Sequence, residues 1–337
     1  MAARLASVPS HSAWNVTDAL HSVEQRCLEL LSPLPRCEVE SFDSATRAAT
    51  HHFHAGGRRI RAQLALHAAQ QLNLSERTAV AIASASELLH NASLIHDDLQ
   101  DRDTHRRGVP AVWKLFGDEV AVCSGDLLLS AAYAALAQID DPTCLAEMIA
   151  AMHRGTAAAI RGQSADVAHR NTPVEDLATY LQIAAGKSGA LLGLPLELAL
   201  LAAHQKSSCA MAREAAEAFS IGYQIADDLD DLESDAETAE LTSKLNVGWL
   251  LLRIDDIAEQ SSNRDRQLLR RKIHQDCVDL ACRHLAQAID CANLLPQQCG
   301  LLMVDLATRQ ATQLQDAVLR TTQPADIHPH AFMKSAE

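Results

Sequence analysis

An all-α fold is predicted by three observations. Alanine and leucine dominate the apolar positions, whereas aromatic residues make up only 3% of the chain and the β-branched, aromatic alternation of strands is scarce. Apolar residues recur at helical spacing, as in Val16, Leu20, Val23, Cys27 and Leu30–Leu31. The breaks between such stretches fall at proline, glycine or short polar segments.

Taken in order, residues 14–31 read as a first helix, stopped by Pro33 and Pro35. Ser44 to His54 reads as a short helix ended by the Gly56-Gly57 pair. Arg58-Arg59-Ile60-Arg61 opens the next helix, to about Leu72, with Arg58 and Arg61 on one face. A long helix from Glu76 to about Asp98 carries a conspicuously small side, Ala83, Ser86, Ala92 and Ser93. After a loop from Arg102 to Pro110, helices are expected near 119–139, 144–168, 174–200 and 211–232. An acidic loop, Glu233 to Glu240, follows, then helices near 245–260, 265–294 and 298–318. Residues 1–320 read as one domain and 321–337 as a flexible tail.

Bulk properties exclude several roles. A formal net charge of −14 argues against nucleic acid as the main partner. Nine cysteines without a compact framework fit a reduced, cytoplasmic location. Residues 1–14 lack the apolar segment of a secretory signal, and no run of about 18 uninterrupted apolar residues suggests a transmembrane segment. Leu191 to Ala203 is the most apolar stretch, interrupted by Pro195 and Glu197.

Two stretches carry the chemistry. Leu94-Ile95-His96-Asp97-Asp98-Leu99-Gln100-Asp101 and Gln224-Ile225-Ala226-Asp227-Asp228-Leu229-Asp230-Asp231 are apolar runs ending in carboxylates of the form DDxxD. Positions four apart share a helix face, so Asp97 projects with Asp101 and Asp227 with Asp231. Like charges so placed repel, and a hard cation such as Mg²⁺ relieves them, binding through one or two carboxylates plus substrate phosphates. One such cluster alone reads as a solvated helix end; two of the same spacing read as two walls of one metal–diphosphate site. Arginines in a helix's first turn oppose the dipole unless an anion binds there. Lys187, between two glycines in an apolar stretch, requires an anionic partner if buried. His96 reads as a hydrogen-bonded core histidine and Asp126 as a helix-starting carboxylate.

With these motifs in order, residues 40–250 resemble the trans-isoprenyl diphosphate synthases, the polyprenyl synthetase family, and most of all its geranylgeranyl diphosphate synthases. GGRRIR at 56–61 resembles the family's GGKRxR, and HNASLIHDDLQDRDTHRRG at 90–108 its first aspartate-rich region. GQSADV at 162–167, YLQIAAGKSGAL at 180–191 (with Ser188 where threonine is usual) and YQIADDLDD at 223–231 are similar to its later motifs. The resemblance implies a bundle of long helices around a central apolar cavity, a homodimer, and three Mg²⁺ ions. It implies that Asp97, Asp98 and Asp101 bind two of them and Asp227, with Asp228 and Asp231 nearby, the third. Arg106, Lys187, Gln163 and Lys244 would address an allylic diphosphate. Arg58, Arg61, His90 and Arg107 would hold isopentenyl diphosphate. Lys187, Ser188 and Gln224 would stabilise the carbocation formed when the allylic C–O bond ionises.

The same resemblance makes Leu89, Ala92 and Ser93 the determinants of chain length. Bulky aromatics four and five residues before the first aspartate stop growth at about fifteen carbons in this family, and the small residues here imply a product of about twenty or longer. The chain departs from the pattern after the second cluster, where a GKxxGxD…GKxTxP segment is replaced by a shorter acidic one retaining only Lys244. Arginine at 58 keeps the family's charge but changes its geometry. Two alternatives use the same scaffold: a terpene cyclase, which needs no isopentenyl site, and a non-catalytic partner subunit. The presence of Arg58, Arg61 and His90 weighs against the first, and the intact first cluster and Arg pair against the second.

Overall fold

The computed structural model describes residues 14–32, 43–169, 174, 176–234, 246–254 and 263–322. These residues are almost entirely helical: α1 (Val16–Leu31), α2 (Ser44–His54), α3 (Ile60–Gln71), α4 (Glu76–Asp101), α5 (Val112–Phe116), α6 (Asp118–Leu136), α7 (Leu145–His169), α8 (Leu177–Ala184), α9 (Ala190–Ala202), α10 (Cys209–Ser234), α11 (Val247–Ile254), α12 (Asn263–Asn293) and α13 (Leu301–Thr322). Helix starts follow local chemistry, with Asn15, Asp43, Ser75 and Asp176 each accepting a hydrogen bond from a backbone N–H three residues on. The expected acidic loop, Lys244 and the expected tail lie outside the described residues.

The core is built mostly of alanine and leucine on α4, α6, α9 and α10. Small residues let helices approach closely. A β-carbon at Gly125 of α6 would collide with the His96 ring, so the α4–α6 crossing depends on glycine there. The 191–203 stretch falls almost entirely in α9, the most apolar of the long helices, and α6 is the one described helix long and apolar enough to pass for a membrane span, with a mean hydropathy of 1.4. By length and composition it is able to cross a membrane, yet its Ala121, Ser124, Gly125, Leu128, Ala132 and Ala135 are buried inside the bundle.

Four local features differ from expectation. Arg58 precedes α3 rather than opening it, and Arg59 takes a left-handed conformation (φ 50°) at the helix start, so Arg58 and Arg61 do not share a helix face. The loop after the first acidic cluster contains a two-stranded hairpin, His105–Arg106 paired with Val109–Pro110, followed by the short α5. Its turn residues Arg107 and Gly108 both have positive φ, 52° and 82°, the signature of a type I′ turn. The helix expected over 174–200 is two helices joined by a wide π-helical turn, Ala185–Gly189. Asp126 lies within α6 rather than at a helix start, 3.7 Å from His96 Nε2.

Candidate active site

A cavity of about 520 Å³ opens between α4, α6, α7 and the π-helical turn. Asp97 and Gln100 stand at its rim with Lys187 and Gln163, while Leu89, Ala92, Ser93, Leu129 and Leu191 line it below. All three expected length-determining residues thus face this space. The helical offset explains it: Ala92 and Ser93 lie about one turn before Asp97, and Leu89 about two.

Asp97 has its carboxyl pushed up to about 6, by burial first and by the neighbouring Asp101 as well. Lys187 reaches the same rim from the π-helical turn, its Nζ donating to Asp166 Oδ2 at 2.7 Å. Burial draws its pKa down, but the carboxylates of Asp166, Asp101 and Asp97 outweigh that and leave it raised. Gln163 Nε2 donates to Gln100 Oε1 at 3.2 Å. Gly162 makes this geometry possible: its missing β-carbon would sit 2.5 Å from the backbone nitrogen of Lys187.

The middle aspartates behave differently from their neighbours. Asp98 is fully buried and accepts from Arg106 Nε at 2.8 Å and from Arg106 Nη2. The structure therefore orients Asp98 to the hairpin arginine, while Asp97 alone of the two borders the cavity. Arg106 in turn spends its guanidinium on Asp98, with Asp103 3.7 Å away. Asp228 is likewise buried. It accepts from Tyr180 Oη at 2.7 Å, Gln224 Nε2 at 2.8 Å and the Val247 backbone N–H at 2.8 Å. It is a tie between α8, α10 and α11, and Gln224 is turned toward it, whereas Asp227 is exposed. The side chains of Asp231 and Ser188 lie outside what the structure describes.

Burial raises the Asp228 carboxyl to about 6, so the folded chain holds a proton there that the unfolded chain, at 3.8, gives up. Its ionisation therefore costs stability as pH rises between those values. An Asp228→Asn variant, able to keep the bonds from Tyr180 and Val247 if the Gln224 amide flips, is expected to gain stability relative to the parent chain between pH 4 and pH 7. Urea midpoints measured for both at the two pH values check this. A difference that stays constant or moves the other way refutes it.

A second polar cluster gathers where the Gly56-Gly57 turn, α3 and the hairpin turn meet α4. Arg107 Nη1 donates to the Gly56 carbonyl, and a β-carbon at Gly57 (φ 133°) would sit 2.6 Å from Arg107 Cζ, so the GG pair is shaped around that side chain. Arg61 is held down to about 10 by burial and by Arg107, although Glu87 opposes this. His90 lies well below the ordinary histidine range through burial, Arg61 and Arg107, and His52 falls to about 3 from burial, Arg107 and Arg106. Arg61, His90 and Arg107 thus lie near enough to act on one another, whereas Arg58 is exposed. Cations crowded in a desolvated pocket form a receptor for a multiply charged anion.

Asp97, Asp101 and Asp227 are hard oxygen donors suited to Mg²⁺. Among the described residues no group of three or more His, Cys, Asp or Glu side chains is arranged to hold a metal by itself. An ion here would therefore complete its shell with diphosphate and water, the usual habit of Mg²⁺. This all-oxygen donor set fits the metal. Sequence reasoning missed Arg59, Glu87, Asp166 and Tyr180, although Asp166 and Tyr180 sit inside the family-like motifs, where they are the partners of Lys187 and Asp228.

An apolar cavity with an acidic rim, backed by an arginine pocket in an all-α bundle, defines an isoprenoid synthase-type fold. Residues 43–276 match the Polyprenyl synthetase family. The chain belongs to that family. It is 35% identical over 219 residues to a (2E,6E)-farnesyl diphosphate synthase of Mycobacterium tuberculosis, covering 60% of this chain and 59% of the relative's length. A short chain isoprenyl diphosphate synthase of Methanothermobacter thermautotrophicus is 30% identical over 67% of this chain and 71% of its own. Among solved structures, geranylgeranyl pyrophosphate synthetase from the archaeon Geoglobus acetivorans superposes with a TM-score of 0.73 at 25% identity, over 88% of this chain and 99% of that one. The family is in general Mg²⁺-dependent.

Proposed function

We propose that the chain is a trans-prenyltransferase that joins isopentenyl diphosphate to an allylic diphosphate, giving an all-trans prenyl diphosphate of about twenty carbons or longer. Geranylgeranyl diphosphate is the single product favoured. The observation that carries the reading is the pairing on α4 of an apolar cavity beneath Asp97 with the separate cationic pocket of Arg61, His90 and Arg107. Two diphosphate sites serve condensation, whereas a cyclase needs one.

Mg²⁺, three ions in this reading, would be held by Asp97 and Asp101 on one wall and Asp227 on the other, and when bound would neutralise charge on the departing diphosphate. Lys187 adds a positive charge to the same group and Gln163 an amide. As the allylic C–O bond breaks, the cation's tail lies along Ala92, Ser93 and Leu89, which exclude water. Arg61, His90 and Arg107 orient isopentenyl diphosphate so that its double bond forms the new C–C bond. The proton released from the adjacent carbon passes to the leaving diphosphate, so no side-chain base is required.

Small residues beneath Asp97 support the longer product. A homodimer is proposed from the resemblance, and the incomplete burial of apolar α6 accords with it. A cytoplasmic location is proposed as well; the described cysteines are all free thiols. The decisive experiment is a Mg²⁺-dependent incubation with labelled isopentenyl diphosphate and, separately, dimethylallyl, geranyl and farnesyl diphosphates. A ladder of products ending at one length is expected; no incorporation by the folded protein with any primer overturns the reading.

A further inference from the structure

We propose that buried Glu87 is a positioning residue that serves as the shared counter-charge for the arginines of the isopentenyl diphosphate pocket. This rests on the reading of Arg61 and Arg107 given above.

Glu87 lies on α4, three residues before His90, and is only 1% exposed. A carboxylate so buried demands partners. Its Oε1 accepts from Arg59 Nη1 at 3.3 Å and from Asn91 Nδ2 at 3.3 Å, while its Oε2 is buried with no partner. Arg59 is itself 8% exposed; it donates to the Phe53 carbonyl at 2.9 Å and to Glu24 at 3.3 Å, and stacks 4.2 Å over the Phe53 ring. That grip fixes the segment joining Gly56-Gly57 to α3 in its left-handed turn.

The reach of Glu87 extends beyond Arg59. Its charge is felt by Arg61, otherwise pushed toward losing its proton by burial and by Arg107, and by Arg107, pushed the same way by burial, Arg59 and Arg106. Glu87 pairs directly with Arg59, and Arg59 holds the Gly56-Gly57 turn around which Arg107 packs, its Nη1 donating to the Gly56 carbonyl. With Glu87 and the more exposed Glu24 both pairing Arg59, the positive charge of Arg61 and Arg107 is left for an incoming diphosphate, and the buried carboxylate keeps the unliganded arginines from repelling one another out of place. Glu87 touches no expected substrate atom, so it acts through the arginines alone.

The test separates affinity from chemistry, using the full-length protein. Glu87→Gln keeps the shape of the side chain and removes the charge. It is expected to raise KM for isopentenyl diphosphate about tenfold, as loss of a supporting residue does elsewhere, with the KM of the allylic primer and kcat changed less than about twofold. Glu87→Asp, restoring the charge, is expected to recover most of that loss. Arg59→Lys, which retains the cation but not the fork, is expected to show the same selective rise and stands in should Glu87→Gln fail to fold. A KM for isopentenyl diphosphate that is unchanged or lower in folded Glu87→Gln, or a rise equal for both substrates, overturns the proposal. Arg61→Gln run in parallel distinguishes the failures. If it raises KM for isopentenyl diphosphate while Glu87→Gln does not, only the role of Glu87 falls; if Arg61→Gln also leaves KM unchanged, the placement of that substrate falls with it.

Discussion

Replacing Asp97 with alanine is expected to lower turnover about a thousandfold or more, the scale on which preorganised electrostatic groups act. The carboxylate stands at the rim of the cavity, raised to about 6 because it is desolvated and faces Asp101, and it shares the rim with Lys187. Alanine there removes an oxygen donor where negative charge must be bridged to the diphosphate, leaving Asp101 alone on that wall, since the adjacent Asp98 is bound to Arg106. The fold is expected to survive, because Asp97 makes no buried bond comparable to those of Asp228. Asp227→Ala is expected to behave alike. Single-turnover rates at saturating substrate, with circular dichroism as the control for folding, decide the matter; turnover within a few fold of the parent removes that carboxylate from the mechanism.

An equally large change is expected in product identity when Ala92 is made phenylalanine. Ala92 is 3% exposed and lines the cavity about a turn below Asp97. A ring at that site projects into the space the growing tail would occupy, and overpacking costs about 1–3 kcal/mol of stability where it meets neighbours. The dominant product is expected to shorten by at least one isoprene unit, while condensation onto the shortest primer continues. Chromatography of the dephosphorylated products reads the outcome directly. An unchanged length distribution would show that the chain grows along another path.

Much of this architecture was legible in the chain because its information is local. The apolar period, the caps and the Gly56-Gly57 stop place α1 to α4 within a few residues of where they lie. The DDxxD spacing likewise places Asp97 and Asp227 without reference to anything distant. What escaped was set by contacts across the fold. Both aspartates of each adjacent pair look alike in sequence, yet Asp98 turns to Arg106 and Asp228 to Tyr180, Gln224 and Val247, because burial of the helix's inner face decides which carboxylate is enclosed. Nothing in GGRRIR marks Arg59, since no local rule forces a left-handed arginine whose guanidinium is spent on Glu87, Glu24 and the Phe53 carbonyl. The hairpin turn at Arg107-Gly108 lacked the Asn-Gly or Asp-Gly pair that usually announces it. Nor does any spacing announce a π-helical turn, which shows itself only when Lys187 must meet both Gly162 and Asp166.

That turn has a bearing on how the chain tolerates change. A π-helical turn amounts to one residue inserted into an α-helix, so residues 185–189 are a register device: every side chain from Ala190 onward is rotated by about 100° from where an unbroken helix would put it. Deleting a single residue within it would restore the ordinary period and turn α9 or α8 so that their buried faces no longer match. A one-codon deletion there would miswire the helix pair. The length of residues 185–189 therefore fixes which face α9 turns to its neighbours.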